Sequence, residues 1–271
     1  MKHIYEYTLN PKTGEKTLLF TMSFGPKKFI SKYTIDKLII KNNDSYIYKV
    51  INKKTKKEYI CKVVNTNNFN NNEFIIPNNI KSNRIIDILE VYQAYICGIN
   101  RTFMIMDYYP EVIDSFDYIN NGKITESSIK PIIKEICLAI KDCHDAGYCH
   151  GDIKMENVII TKLNPLEIKL IDFEFSFKDG NNKNKFKSGT NKYIAPEVIR
   201  NNEGSRASDI WSIGSVIYYM IMDKPYNTQE TIKNELISDE LNELLLNCLV
   251  VDPIKRFNID KIINSTWFKT P

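Results

Sequence analysis

The stretch that decides the fold is CHGDIKMENVII, which runs from Cys149 to Ile160. It places a carboxylate at Asp152, an amine at Lys154 and an amide at Asn157, and a run of β-branched residues follows. A glycine among charged residues, followed by such a run, predicts a loop that leads into a strand. The sequence therefore concentrates three chemically active side chains in one loop.

The composition around this loop is that of a globular protein of 271 residues, with 43% hydrophobic and 26% charged residues. The chain has three histidines and six cysteines, and the cysteines form no C-x-x-C pair. We therefore expect neither a zinc site nor a disulfide framework. A reducing intracellular location, the cytoplasm, follows from the same cysteine usage.

Charge and hydropathy limit the partners. The net charge of +4 is mild and does not indicate a nucleic-acid partner. The longest apolar run, IGSVIYYMIM, is far too short to span a bilayer and predicts a buried helix. No signal-peptide pattern opens the sequence. We therefore expect no membrane partner, and we expect a monomer.

The sequence changes its periodicity near its middle. Before Tyr109, five β-branched and aromatic runs predict an antiparallel sheet: TIDKLII, SYIYKVI, EYICKVV, IIDILEVYQAYI and RTFMIMDY. After it, apolar residues recur at helical spacing, as in ESSIKPIIKEICLAIKDCHDAG, with Gly147 at the expected helix end. We predict an α+β fold with two lobes and a cleft between them.

The domain boundaries follow from this change. Residues 33–109 are predicted to form the small antiparallel-sheet lobe, and residues 110–271 the larger, mainly helical lobe. Residues 1–32 are predicted to be an extension with a β-hairpin, because two strand-like runs flank the turn sequence NPKTGEK.

Two further residues complete a chemical set. Lys62 lies in YICK on the predicted third strand of the sheet, and Asp172 lies in KLIDFEF, fifteen residues after Asn157. Phosphoryl transfer needs metal ligands, a cation on the phosphates and a carboxylate that orients the acceptor hydroxyl. The sequence supplies all three in chain order.

These motifs resemble those of the eukaryotic-type protein kinases. The quoted loop is similar to H-R-D-x-K-x-x-N, and IDF to the start of D-F-G. SGTNKYIAPEV, Ser188–Val198, resembles the end of a kinase activation segment, and DIWSIGSVIYYMI resembles the buried helix that follows it. The resemblance covers about Tyr33 to Phe268. The stretches SFDYINNGKITE and INSTWF resemble the calmodulin-dependent-kinase-like group.

The resemblance implies roles for the loop residues. Asp152 would orient the acceptor hydroxyl, Lys154 would assist transfer, and Thr190 would bridge the two, which implies Ser or Thr acceptors. Asn157 and Asp172 would hold Mg²⁺ or Mn²⁺. In the closing helices, Arg256 is expected to pair with Glu197.

The resemblance also implies an ATP site. Lys62 would hold the phosphates and pair with Glu73, although Pro77 is expected to end the helix that carries this glutamate. The remaining implied nucleotide contacts are Ile40, Ile47, the gatekeeper Met106, the Asp107 carbonyl and the Tyr109 amide.

Four features depart from the kinase pattern. The stretch IKNNDSYI, Ile40–Ile47, contains no glycine where the glycine-rich loop would lie, which predicts weakened ATP affinity. Glu174 replaces the glycine of D-F-G. Gly151 replaces the arginine that usually receives a phosphate on the activation segment, and Phe186 stands near where a phosphorylated residue would be. The arginine that would receive the phosphate and the residue that would carry it are thus both absent. Their joint absence predicts a kinase that needs no activation-segment phosphorylation.

The sequence thus predicts a serine/threonine protein kinase that uses ATP. Asp114 and Glu156 occupy positions that face basic substrate residues in some kinases, so the resemblance implies a protein substrate with basic residues near the acceptor. Two alternatives stay open. The missing glycines and Glu174 would suit a pseudokinase that binds partners without catalysis. H-G-D with I-D-F-E also resembles the aminoglycoside and choline phosphotransferases, which modify small molecules.

Overall fold

The protein is described from a computed structural model. It describes residues 4–9, 16–22, 27–42, 45–96, 98–115, 118, 124–180, 192–228, 232 and 237–270. The chain forms two compact units: the first is Met1–Phe74 with Asp87–Tyr108, and the second is Ile75–Ile86 with Tyr109–Pro271. Among the helices that these residues form, none is long and apolar enough to cross a membrane.

The first unit contains a hairpin, a short helix and a larger sheet. Its elements are β1 (Ile4–Leu9), β2 (Lys16–Met22), α1 (Lys27–Lys32), β3 (Tyr33–Lys41), β4 (Ser45–Asn52), β5 (Glu58–Asn65), β6 (Ile88–Ile96) and β7 (Ile99–Asp107). Strands β1 and β2 pair antiparallel. The other five strands form an antiparallel sheet in the order β3-β4-β5-β7-β6, as the β-branched runs predicted.

One face of this sheet carries the hydrophobic core of the unit. Its buried members are Phe29, Tyr33, Tyr48, Val50, Cys61, Val63, Ile96, Phe103 and Ile105. The ring of Phe29, on α1, lies 5.2 Å from that of Phe103 and is 2% exposed. Helix α1 is therefore part of the core, although the sequence places it in the predicted extension.

Helix α2 (Asn72–Asn79) begins in the first unit, and residues 75–86 group with the second. Pro77 lies inside this helix, so the expectation that it ends the helix is wrong by two residues. Pro77 has no N–H for the carbonyl of Glu73, so one helical hydrogen bond is missing, and the helix continues for only two residues beyond the proline. The predicted lobe boundary after residue 109 stays a prediction.

The second unit is mainly helical. Its strands are β8 (Ile113–Asp114), β9 (Tyr148–Cys149), β10 (Val158–Leu163), β11 (Leu166–Leu170) and β12 (Phe177–Lys178). Its helices are α3 (Glu126–Asp145), α4 (Pro196–Asn201), α5 (Arg206–Met222), α6 (Asp239–Cys248), α7 (Ile259–Ile263) and α8 (Thr266–Lys269). The unit thus has the helical content that the sequence predicts.

Helices α3 and α5 provide its core. The apolar stripe of α3 is buried at each position that the helical spacing predicted, and Gly147 follows the helix with φ +83°. Helix α5 is buried along most of its length, and a Cβ added at Gly214 would lie 2.7 Å from the Cβ of Cys248. Glycine is therefore required there by the close approach of α5 to the end of α6.

The predicted ion pair between Arg256 and Glu197 is present in this unit. The two guanidinium nitrogens Nη1 and Nη2 donate to Oε1 and Oε2 of Glu197 at 2.6 and 2.7 Å. The Arg256 side chain is 0% exposed, and its guanidinium lies 4.9 Å from the ring centroid of Trp211. This contact fixes the end of the activation segment (residues 172–197) to the closing helices.

Candidate active site

The predicted nucleotide contacts of the first unit lie on one face of its sheet. Ile40 pairs with Ile47 across β3 and β4, and Ile47 pairs with Lys62 across β4 and β5. Directly opposed residues share a face, and so do residues two apart on a strand. Met106 lies two residues from Met104, the partner of Lys62 on β7. These residues therefore line the face opposite the core.

Lys62 forms an ion pair with Glu73 at the start of α2. The Lys62 side chain is 17% exposed and that of Glu73 7%, so water screens the pair little. The connection from β5 to α2 is a polar, asparagine-rich patch with the sequence NTNNFNNNEF, residues 65–74. Within it, Asn65 Oδ1 accepts from the Asn67 amide, and Asn70 Oδ1 from the Asn72 amide, both at 3.0 Å. Asparagine is favoured in such turns and caps, so part of this polar patch has a structural role.

The segment after β7 is tied to β4 and to the turn that follows it. Lys57 donates to the Asp107 carboxylate at 2.8 Å, and Lys49 lies 5.1 Å from the ring centroid of Tyr108. The carboxylate of Asp107 raises the pKa of Lys57. The side chain of Asp107 therefore binds within the first unit, and its predicted nucleotide contact is the backbone carbonyl.

The predicted catalytic loop lies in the second unit, where Asp209 of α5 holds its backbone. The carboxylate of Asp209 accepts from the His150 amide at 3.0 Å and from the Gly151 amide at 2.9 Å. It also lies 2.9 Å from His144 Nε2. Gly151 has φ +81°, a conformation that glycine adopts without steric cost.

Three predicted residues meet within this loop. Lys154 Nζ lies 2.6 Å from Asp152 Oδ2, and the Asn157 amide nitrogen donates to the same oxygen at 3.0 Å and to the Asp152 carbonyl at 2.8 Å. Both amide hydrogens of Asn157 thus point at Asp152. Among the described residues, none donates a hydrogen bond to Asn157 Oδ1, which is left as an acceptor.

Asp172 follows β11, and the backbone next to it is attached to the catalytic loop. The amide of Ile171 donates to the Asn157 carbonyl at 2.9 Å. Asp172 has φ +65°, a left-handed conformation that aspartate tolerates better than most residues and that recurs at functional sites. The residues of IDF and of the catalytic loop are therefore fixed relative to one another by hydrogen bonds.

His150 holds these two segments together as a neutral imidazole. Burial lowers its pKa, against the nearby carboxylates of Asp209 and Asp152. Its Nδ1 accepts from the Asp152 amide at 3.3 Å, so Nε2 carries the proton and donates to the Ile171 carbonyl at 3.2 Å. None of the predicted roles involved this histidine, and the signal for it in the sequence is its place beside Gly151 and Asp152 in the loop.

Some predicted residues are not brought into this cluster. Thr190 lies outside the described residues, so its bridging role stays a prediction. Glu156 is exposed and acts electrostatically on Tyr193, which lines a cavity of about 30 Å³ beside Asp152. Burial and this carboxylate raise the pKa of Tyr193. The predicted role of Glu156 in binding basic substrate residues stays a prediction.

This arrangement suits phosphoryl transfer. It offers a carboxylate oriented by an amine and an amide, oxygen atoms of the kind that Mg²⁺ prefers, and a lysine held by a buried glutamate. Each unit by itself thus holds part of the set of groups that phosphoryl transfer needs: the second unit holds the loop with its carboxylate, amine and amide, and the first unit holds the lysine paired with glutamate.

Comparison with known proteins gives the family. A family model described as protein kinase domain matches residues 33–268. The chain therefore belongs to the protein kinase family, as the motifs in the catalytic loop and the activation segment predicted.

Several kinases are similar to this chain. A probable serine/threonine-protein kinase, fhkC, of Dictyostelium discoideum is 26% identical over 97% of this chain and 50% of its own length. Calcium-dependent protein kinase 5 of Plasmodium berghei is 27% identical, over 87% and 46%. Developmentally-regulated protein kinase 1 of Dictyostelium discoideum is 32% identical, over 69% and 29%. The chain spans half or less of the length of these relatives. The calcium-dependent kinase is consistent with the resemblance to the calmodulin-dependent-kinase-like group.

Proposed function

We propose that this chain is a serine/threonine protein kinase that transfers the γ-phosphate of ATP to a protein hydroxyl. The observation that carries the proposal is the contact of Asp152 with both Lys154 and Asn157. A chain retained only for binding has no need of all three groups in this geometry. One of the similar proteins, fhkC of Dictyostelium discoideum, is named as a probable serine/threonine-protein kinase, which supports the same acceptor class.

In this proposal Asp152 orients the acceptor hydroxyl and takes its proton as the oxygen bonds to the γ-phosphorus, while the bond from that phosphorus to the β–γ bridging oxygen breaks and ADP leaves. Lys154 lies 2.6 Å from Asp152, where its charge is close to the phosphate being transferred. Thr190, which lies outside the described residues, keeps in this proposal the bridging role that the resemblance implies. Tyr193 lines a cavity together with Asp152, and the exposed carboxylate of Glu156, which acts electrostatically on Tyr193, attracts basic residues of the protein substrate.

The metal ligands are Asn157 and Asp172. The amide hydrogens of Asn157 are directed to Asp152, which turns Oδ1 towards a cation, and the carboxylate of Asp172 supplies a second oxygen. An all-oxygen donor set fits Mg²⁺ or Mn²⁺. When bound, the ion neutralises charge on the phosphates. Lys62, held by Glu73, binds the phosphates that are not transferred. The adenine base packs against Ile40, Ile47 and Met106. It forms hydrogen bonds with the Asp107 carbonyl and the Tyr109 amide.

The kinase also acts without phosphorylation of its activation segment. The support is Gly151, which has no side chain to receive a phosphate and whose amide is bound to Asp209. The backbone of the catalytic loop is held by hydrogen bonds with Asp209 and His150. Its geometry therefore does not depend on the charge of a phosphate on the activation segment.

The test is transfer of labelled phosphate from ATP, with Mg²⁺ and separately with Mn²⁺, to the protein itself and to a generic basic protein. Asp152→Asn is compared with the wild type, and Asp145→Asn, an exposed carboxylate at the end of α3, is the matched control. A parallel sample is treated with a protein phosphatase, which is removed before the assay. We expect label on Ser and Thr in the wild type and the control, little in Asp152→Asn, and no effect of the phosphatase.

The alternatives give different results. A pseudokinase, favoured by the glycine-free stretch between Ile40 and Ile47, would show no label above Asp152→Asn in either metal. A small-molecule kinase would consume ATP only when an amino alcohol or aminoglycoside is added. Activity lost after phosphatase treatment would refute the independence from phosphorylation alone.

A further inference from the structure

The activation segment begins with a set of contacts that is distinct from the phosphate-receiving arginine of other kinases. Strand β12 pairs with β9, Phe177 with Cys149 and Lys178 with Tyr148. The next residue, Asp179, donates its amide to the Gly147 carbonyl at 2.9 Å. The start of the activation segment is thus aligned beside the residues that lead into the catalytic loop.

The side chain of Asp179 is held from a second direction. Its Oδ2 lies 2.7 Å from Nε of Arg206, the first residue of α5, and its Oδ1 lies 3.9 Å from the thiol of Cys149. An arginine in the first turn of a helix is electrostatically unfavourable, because the helix dipole is positive at that end. The carboxylate of Asp179 offsets this repulsion. The ion pair therefore explains why an arginine is tolerated at position 206, where the helix dipole disfavours a positive charge.

The first turn of α5 therefore holds two segments at once. Arg206 binds the activation segment through Asp179, and Asp209, three residues later, binds the amides of His150 and Gly151 in the catalytic loop. In kinases with arginine at the position of Gly151, one arginine and a phosphate join these two segments. Here the two contacts to α5 join them without a phosphate.

We infer that Asp179 and Arg206 are positioning residues that fix the start of the activation segment relative to the catalytic loop in the unphosphorylated protein. This inference rests on the proposed kinase function and deepens its regulation. Neither residue touches the reacting atoms. Their effect is on the surface that receives the protein acceptor, and ATP binding is independent of them.

The expected effects are modest, because the two side chains are 34% and 48% exposed. Arg206→Gln and Asp179→Asn should each lower kcat/KM for the protein acceptor about two- to fivefold, the range of a partly exposed ion pair. The KM for ATP should stay unchanged. The double variant should lose no more than either single variant, since both remove one contact. Arg206→Lys should restore most of the loss.

The matched control is Glu167→Gln, which removes an ion pair with Lys162 on the β10–β11 hairpin. Its atoms are 3.2 Å apart and its side chains 50% and 51% exposed, so it is also a partly exposed ion pair, and it lies away from the activation segment in the sequence. The second measurement is hydrogen–deuterium exchange, which needs no activity. We expect faster exchange in peptides spanning residues 177–180 in Arg206→Gln and no such change in Glu167→Gln.

The inference is overturned if Arg206→Gln and Asp179→Asn match Glu167→Gln in kcat/KM, or if exchange over residues 177–180 is unchanged. A rise in the KM for ATP equal to that for the protein acceptor would also overturn it, since that result indicates general loosening. An inactive wild type would refute the proposed function, and the exchange experiment would still decide whether the pair fixes this segment.

Discussion

Replacing Glu197 by glutamine isolates the electrostatic contribution of the buried pair with Arg256. The change keeps the shape of the side chain and one acceptor oxygen but removes the negative charge. The carbonyls of Val250 and Ala207 also accept from the guanidinium, at 2.7 and 2.8 Å, and they keep their hydrogen bonds. Carbonyl groups do not neutralise a buried cation, so Glu197→Gln leaves the charge of Arg256 uncompensated.

The cost follows from the burial of Arg256. Breaking a buried ion pair from one side costs about 3–5 kcal/mol. Because the guanidinium keeps its carbonyl partners, we expect about 3 kcal/mol for Glu197→Gln. With a urea dependence of about 2 kcal/mol per molar, the unfolding midpoint should fall by about 1.5 M.

Tryptophan fluorescence during urea unfolding measures this loss in the second unit alone. The chain has two tryptophans, Trp211 and Trp267, and both lie in that unit. Glu203→Gln, an exposed glutamate close in sequence, is the control. The double variant Glu197→Gln with Arg256→Met should be more stable than Glu197→Gln alone, because it removes the buried charge. A Glu197→Gln midpoint within about 0.3 M of the control would refute the electrostatic argument.

Three further predictions use the same assay. Burial lowers the pKa of His150, so the folded protein stays neutral at His150 while the unfolded chain takes up a proton below about pH 6.5. The urea midpoint should therefore fall as the pH is lowered from about 7.5 to 5.5, and His150→Gln should weaken this pH dependence. If the midpoint changes equally with pH in the wild type and in His150→Gln, the assignment of the effect to His150 is contradicted. Gly214→Ala should destabilise by about 1–3 kcal/mol through overlap with Cys248 and Leu249, whereas helix propensity alone would give stabilisation. Gly147→Ala should cost about 1 kcal/mol more than Gly147→Asn, because asparagine tolerates φ +83° better; equal midpoints would refute that reason.

Local patterns were sufficient to predict much of this fold. The five β-branched runs became the five strands of the sheet because period-two alternation and burial on one face act together. The stripe of α3 and the position of Gly147 follow from helical spacing and from glycine at a helix end. The resemblance to protein kinases also predicted a contact between residues distant in the sequence, because it implied that Glu197 pairs with Arg256, 59 residues away.

Contacts between residues without a motif could not be predicted in this way. Nothing in the pattern around Phe29 indicates that its ring enters the core of the first unit, since that depends on the packing of α1 against the sheet. The caps formed by Asn65 and Asn70 read as ordinary polar loop residues in the sequence. The pair of Asp179 and Arg206 depends on where β12 ends relative to α5, and no local pattern encodes that distance.

The measurement that tests the central claim most directly is the rate of phosphate transfer by Asp152→Asn relative to the wild type, at saturating ATP with Mg²⁺ or Mn²⁺. Loss of a group that accepts a proton in the transition state costs about a hundredfold or more. We predict transfer to Ser and Thr in the wild type and a loss of at least that size in the variant. Equal label in the two proteins, or none in either, would contradict the assignment of this chain as an active kinase.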